Sequence, residues 1–247
     1  MANRPLRGRH GELRRSPELI GHRGAPRERP ENTLASFLRA FDLGADAVEL
    51  DVHATRDGVV VVHHEFVPKA DTTVAALRGR PIAELTGAEL ATFRVSGEPI
   101  PTLADVIDAV GERATVYVEI KGRAIESAVV ATLRRASSLA RVPVHSFDHR
   151  AVTRARAIEP KLDSGILLVS YLIEPDRALE AAGARDYWQE WTMIDEPLVE
   201  AVHGAGGRVI AWTVNDPTEA RRLASIGVDG ICTDVLPEIG PALASVA

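Results

Sequence analysis

At 247 residues, with 45% hydrophobic and 26% charged residues, the chain has ordinary globular composition and can bury a large core without a disulfide or structural metal. Its net charge of −6 speaks against a nucleic-acid reader with a broadly basic surface, and the single Cys232 excludes an internal disulfide framework and a multi-cysteine metal site. Uninterrupted aliphatic runs such as Val59–Val62 and Ile166–Val169 fall far below the roughly 18 residues of a membrane-spanning helix, so no stable membrane insertion is expected.

Residues 1–17 carry five arginines (Arg4, Arg7, Arg9, Arg14, Arg15) against Glu12 alone and contain no apolar core. They read as a basic tail or lead-in rather than a secretory signal, so a cytoplasmic location is expected. From Glu18 onward short β-branched runs alternate with helical patterns. The runs are Glu18–His22, Ala47–Val52, Thr115–Ile120, Val142–Phe147, Ser164–Val169, Arg208–Val214 and Gly227–Thr233, with Tyr187–Met193 as a weaker eighth. Between them, Leu34, Phe37, Leu38 and Phe41 keep helical spacing, and Gly44 closes that helix. Thr102 with Asp105 forms a capping-box pattern, and Asp216 caps a helix that begins with Pro217. Eight strand–helix units over residues 18–247 predict an α/β fold, a single (β/α)8 TIM barrel. An open doubly wound sheet is the other arrangement of this order, but no G-x-G-x-x-G follows the first strand.

One stretch breaks the rhythm. After Ala47–His53, the turn Thr55-Arg56-Asp57-Gly58 leads straight into Val59–His63, which predicts a hairpin with His53 in its turn. Some 36 residues then precede the Thr102 helix, predicting a small insertion after the second strand, at about 65–101, on the catalytic face.

Barrel chemistry sits at the carboxyl ends of the strands. Glu49 and Asp51, two apart on a strand, share one face, and Glu119 ends the next barrel strand. Three carboxylates converging there repel one another without a cation, and oxygen ligands suit Mg2+ or Ca2+ rather than zinc. Each acid could instead pair with an arginine at the rim. His22 and His64 end neighbouring segments and could divide acid and base work near neutral pH. Arg23 and Lys121 add positive charge, and beside a metal they would suit a phosphate-bearing anion. Lys121 is one of only three lysines among 29 basic residues. His10, His145, His149 and His203 have no comparable company and read as surface or structural residues.

In order along the chain stand His22-Arg23-Gly24, Pro30-Glu31-Asn32-Thr33, Gly44-Ala45-Asp46 and Glu49-Leu50-Asp51-Val52. Thr55-x-Asp57-Gly58, His64, Asp71-Thr72-Thr73, Ile100-Pro101-Thr102-Leu103 and Glu119-Ile120-Lys121 follow. Ser146-Phe147, Trp212-Thr213-Val214-Asn215 and Gly227-Val228-Asp229-Gly230-Ile231-x-Thr233-Asp234 complete the series. Over residues 18–236 this resembles the glycerophosphodiester phosphodiesterase family. The resemblance implies a (β/α)8 barrel and one divalent cation, Mg2+ or Ca2+. It also implies a small-molecule glycerophosphodiester substrate, cleaved to glycerol 3-phosphate and an alcohol. By position it assigns His22 and His64 to acid–base catalysis, Glu49, Asp51 and Glu119 to the metal, Arg23 and Lys121 to the phosphate, and Trp212 to the pocket wall. The chain departs from the family in having Glu65 where an aspartate usually follows the second histidine, and residues 184–194 match poorly. A related lipid phosphodiesterase, of lysophospholipase D or sphingomyelinase D type, and a non-catalytic phosphate-binding barrel remain alternatives.

Overall fold

The computed structural model describes residues 16–245, so the basic segment expected over 1–17 falls almost wholly outside the described residues. The first half of the chain runs β1 (Glu18–His22), α1 (Leu34–Asp42), β2 (Ala47–Ala54), β3 (Val60–Val62), β4 (Asp71–Thr72), α2 (Gly87–Leu90), β5 (Phe93–Val95), β6 (Glu98–Pro99), α3 (Leu103–Val110) and β7 (Thr115–Ile120). The second half alternates strictly: α4 (Glu126–Leu133), β8 (Val144–Ser146), α5 (His149–Ile158), β9 (Ser164–Leu168), α6 (Pro175–Ala182), β10 (Asp186–Glu190), α7 (Glu196–Gly204), β11 (Arg208–Trp212), α8 (Pro217–Ile226), β12 (Gly230–Thr233) and α9 (Leu236–Ala244).

Among the described residues, β1, β2 and β7 to β12 pair in parallel, and β1–β2 pairing closes the ring. That closure makes the fold a (β/α)8 barrel and removes the open-sheet alternative. The helices start where the sequence signals them. The Thr33 hydroxyl accepts from the Ser36 amide, Thr102 and Asp105 cap each other, and Asp216 accepts from the Thr218 and Glu219 amides.

Period-two alternation sorts the core into two layers. On β2, Val48, Leu50 and Val52 join Phe37, Leu103, Val118 and other residues packed between barrel and helices. Ala47 turns inward to a smaller cluster with Ile20, Tyr117, Leu167, Trp188, Ile210 and Cys232. Trp188 fills much of that interior, and β9 makes room for it with Gly165, where a Cβ would sit 2.8 Å from the indole Cδ1. At the amino-terminal end, Glu18 accepts from the Tyr117 hydroxyl at 2.7 Å and from Arg208 at 2.8 Å, linking β1, β7 and β11 across the bottom of the barrel.

The β2–β3 hairpin forms around Thr55–Gly58, but its turn begins later than expected. His53 is a buried strand residue paired with Val61, not part of the turn, because β2 continues to Ala54. After β3 come two short 3-10 turns, α2 and the three-stranded antiparallel sheet β4–β5–β6. Val61, Leu77, Ile82, Leu85, Leu90, Phe93 and Ile100 give this segment a buried cluster of its own. It is moored to the hairpin by the Arg56 amide on the Leu85 carbonyl and the Gly87 amide on Asp57. It thereby fixes the exit of β3, where His63, His64 and Glu65 lie.

Candidate active site

Parallel register sets out the site before any side-chain detail. His22 is level with Glu49 across β1–β2, Asp51 with Glu119 across β2–β7, and Glu119 with His145 across β7–β8. Inward-facing residues on three consecutive pairings therefore meet at one end of the barrel.

Glu49, Glu119 and His145 each offer a ligand atom within 4.8 Å of the others, and all three are buried or nearly so. The sequence reading finds no comparable company for His145, and the structure corrects that by placing it beside Glu49 and Glu119. Its Nε2 lies 3.8 Å from Glu49 Oε1, and its ring stacks on Trp188 at 4.4 Å. The only local signal was its place near the end of a three-residue strand; its company comes from the barrel register.

Asp51 lies beside this group but is held differently. Asn32 Nδ2 donates to its Oδ2 at 2.8 Å, Arg23 Nε lies 3.2 Å from the same oxygen, and Lys121 Nζ is 3.5 Å from Oδ1. Burial pushes the Asp51 carboxyl up, but Arg23, Lys121, the Asn32 bond and His64 together bring it below its ordinary value. Glu119 goes the other way. Burial first, then the Asp51 and Glu49 charges, outweigh Lys121 and push it up to about 8. One carboxylate thus stays ionised while its neighbour holds a proton, the expected compromise for crowded acids without a cation. Asp51 Oδ1 is buried with no hydrogen bond, its nearest cation Lys121 Nζ standing off at 3.5 Å, so the carboxylate group keeps acceptor capacity for a cation.

His22 Nδ1 hydrogen-bonds Asp234 Oδ1 at 2.7 Å, and Asn215 Nδ2 holds the other Asp234 oxygen at 2.8 Å. Burial lowers the His22 pKa, yet the Asp234 bond and the Glu49 charge overcome it and leave it raised. This carboxylate–histidine arrangement fixes the ring and favours its protonated form. Asp234 and Asn215 stand in the quoted motifs, but nothing local links either to His22; the contacts arise when β12 closes against β1.

The next residues form a strained corner. Arg23 has φ 55° and Gly24 φ 91°, and a Cβ on Gly24 would fall 2.5 Å from Ser36 Oγ. The Arg23 amide donates to Glu49 Oε2 at 3.2 Å, while its guanidinium reaches both Asp51 and Glu31. The rim salt bridge and the site contact therefore coexist.

Of the adjacent pair at the end of the hairpin, His63 is buried and its Nε2 accepts from the Lys69 amide at 3.0 Å. Burial, helped by His53, pushes its pKa down to about 4, so it is neutral at physiological pH. His64 is partly exposed, and its Nδ1 meets Glu65 Oε1 at 3.0 Å, so the longer glutamate still reaches the ring beside it. Lys121 Nζ lies 3.4 Å from Glu119 Oε1 as well as close to Asp51. Trp212 ends β11 with its ring edge-on to Phe147, 5.5 Å between centroids, across the barrel mouth. Among the described residues no helix is long and apolar enough to cross a membrane.

Residues 22–237 match the profile of the Glycerophosphoryl diester phosphodiesterase family. A glycerophosphodiester phosphodiesterase of Caldanaerobacter subterraneus subsp. tengcongensis is 32% identical over 226 residues, covering 87% of this chain and 93% of its own. The structure of an Oleispira antarctica phosphodiesterase in complex with the product sn-glycerol-3-phosphate superposes with a TM-score of 0.84 at 26% identity, covering 92% of this chain and 97% of the other. A glycerophosphodiester phosphodiesterase from Thermotoga maritima gives 0.78 at 25% identity, covering 94% and 99%.

Proposed function

The chain belongs to the glycerophosphoryl diester phosphodiesterase family, and from that premise we propose that it hydrolyses glycerophosphodiesters to glycerol 3-phosphate and an alcohol with one divalent cation and two histidines. The observation that carries this reading is the convergence of His22, oriented by Asp234, with the Glu49–Glu119–His145 group and the cations Arg23 and Lys121. Residues 18–247 act as one catalytic domain in this account, with the insertion of about 65–101 supporting the His64 segment.

Glu49, Asp51 and Glu119 would hold the cation with His145 beside them, and carboxylate predominance favours Mg2+ or Ca2+. Bound there, the ion supplies neutralisation of charge on the phosphoryl oxygens. The remaining work falls to side chains. Arg23 and Lys121 bind the phosphate by charge-assisted hydrogen bonds, and Trp212 walls the pocket. Of His22 and His64, one takes the proton of the attacking hydroxyl and the other gives a proton to the departing alkoxide. Attack by water gives glycerol 3-phosphate directly, whereas attack by the neighbouring glycerol hydroxyl gives a cyclic phosphate that water then opens to glycerol 3-phosphate with the two proton transfers repeated. Asp234 and Glu65 hold the two rings in place. Phosphorus NMR of a glycerophosphodiester incubated with the protein tests the reaction. Growth of a glycerol 3-phosphate resonance is expected; release of a glycerol-free phosphomonoester would place the cleaved bond on the other side of phosphorus.

Lys121→Met separates phosphate binding from mere charge balance. The variant is expected to lose roughly 10²-fold in kcat/KM, and glycerol 3-phosphate should inhibit the parent more strongly than the variant. Equal inhibition would assign Lys121 to balancing Asp51 and Glu119.

Cation binding should also follow pH. Glu119 must lose its proton to act as a ligand, so binding releases one proton between its ordinary value of 4.5 and about 8. Apparent affinity for Mg2+ or Ca2+ is expected to rise about tenfold per pH unit as pH approaches 8, then level off. In the same window the cation-free folded state holds a proton that the unfolded chain does not. Its stability should therefore fall as pH rises from 4.5 to about 8. Calorimetric titration in buffers of different ionisation heat measures both the slope and the proton count.

A further inference from the structure

A groove of about 770 Å³ leads outward from Glu119 and Lys121, between the segment that follows β7 and the one that follows β8. Phe66 and Phe147, both substantially exposed, contribute apolar wall. Its charges are unequal. Four cations line it, Lys121, Arg123, Arg150 and Arg154, against two carboxylates, Glu119 and Asp148.

Three of the four cations already have acidic partners. Lys121 lies against Asp51 and Glu119. Arg150 is bidentate on Asp148, and Arg154 bonds Glu126 at 2.6 Å and reaches Asp148 at 3.5 Å. Arg123 makes no hydrogen bond or ion pair with any described residue. It is exposed, two residues beyond the phosphate-binding lysine, and the backbone turns away at Ala124 with φ 56°. This groove is the path of that size opening from Lys121, and it offers the variable alcohol of a phosphodiester held at Arg23 and Lys121 a route past Arg123. Glu119, once committed to a cation, no longer offsets the positive wall.

We propose that Arg123 is a specificity-determining residue that selects glycerophosphodiesters whose alcohol group carries a negative charge, and disfavours alcohols bearing an ammonium group. The inference rests on the phosphodiesterase reading above and adds the substrate class to it. Recognition is by charge-assisted hydrogen bonding to an anionic oxygen, with Phe66 and Phe147 bounding the carbon skeleton. A carboxylate and a second phosphate present the same chemistry to a guanidinium.

The test measures kcat/KM of the parent, Arg123→Gln and Arg123→Glu with four substrates. These are glycerophosphocholine, glycerophosphoglycerol, glycerophosphoserine and glycerophosphoinositol 4-phosphate. Lys161→Gln, on an exposed residue outside the groove, serves as the charge control. The parent is expected to favour the phosphorylated inositol ester and to turn over the choline ester slowest, with the uncharged glycerol head and the serine head, whose carboxylate and ammonium offset each other, between them. Arg123→Gln should lower kcat/KM for the inositol phosphate ester roughly tenfold and raise it for the choline ester, and Arg123→Glu should reverse the ranking. Lys161→Gln should leave the ranking as it is. Turnover of all four substrates with the same ratios in parent and Arg123 variants overturns the assignment of Arg123 alone. No turnover of any of the four overturns the phosphodiesterase reading itself.

Discussion

Replacing His22 with Ala is expected to lower kcat/KM by roughly 10²–10⁴-fold, and His64→Ala by a similar factor, while the protein stays folded. In the proposed mechanism these two rings exchange protons beside the carboxylate group, and each has its own carboxylate behind it, Asp234 at 2.7 Å and Glu65 at 3.0 Å. His63→Ala is the built-in contrast. That ring is buried, neutral and spent on the Lys69 amide. Its loss should appear as reduced thermal stability, by about 1–3 kcal/mol for the unsatisfied amide and the lost packing, with a far smaller effect on turnover than His64→Ala. A dead His63→Ala beside an active His64→Ala would shift the catalytic role by one residue along the hairpin exit. Asp234→Asn should fall between parent and His22→Ala and should lower the pKa of His22, since the side-chain bond from Asp234 is the largest influence raising it.

The second large effect concerns the carboxylates. Glu119→Gln removes a group that, without a cation, holds its proton to about pH 8. Near neutral pH and without a cation the variant should therefore be more stable than the parent, because Gln does not carry the proton-uptake cost of the buried Glu119 carboxyl. It should lose at least about 10² in affinity for Mg2+ or Ca2+, and a comparable factor in turnover at fixed cation concentration. The thermal readout separates ligand loss from misfolding. A cation at 100 times its Kd stabilises the folded state by about 2.7 kcal/mol, so the parent should show a clear rise in Tm on cation addition. Glu119→Gln should start from a higher Tm than the cation-free parent, and both it and Glu49→Gln should rise little on cation addition. His145→Ala tests the residue that the sequence reading set aside. It should weaken cation affinity if the ring is a ligand, and leave it intact if the ring only packs on Trp188.

The strand–helix order was legible because burial imposes its own period on each element. β1 and β7 fall at the predicted Glu18–His22 and Thr115–Ile120. β10 was the weakest expectation, and the reason is physical. Its sequence Asp-Tyr-Trp-Gln-Glu holds buried polar residues: Asp186 is neutralised by Arg185, and Gln189 donates to the Leu168 carbonyl. Neither partnership shows in a hydrophobicity pattern. The strand stops at Glu190, whose carboxylate accepts from the Thr192 amide and starts a 3-10 turn where continued strand was expected.

The site divides in the same way. Glu49, Asp51, Glu119 and Lys121 could be read from two-residue spacing on single strands. Asn32 lies 19 residues from the Asp51 it orients, and Asp234 lies 212 residues from His22. Such contacts exist only once the ring closes. His145 belongs to the same class, since its level with Glu119 follows from parallel pairing and not from anything near it in the chain.

The most direct test of the account is activity through a cycle of metal depletion. The protein is stripped with a chelator until elemental analysis finds no bound metal, and glycerophosphodiester turnover is followed by phosphorus NMR before and after Mg2+ or Ca2+ is returned. Turnover is expected to fall to the background of Glu119→Gln and to recover on adding one of the two ions, together with the rise in Tm. Full turnover by the verified metal-free protein would contradict the cation requirement.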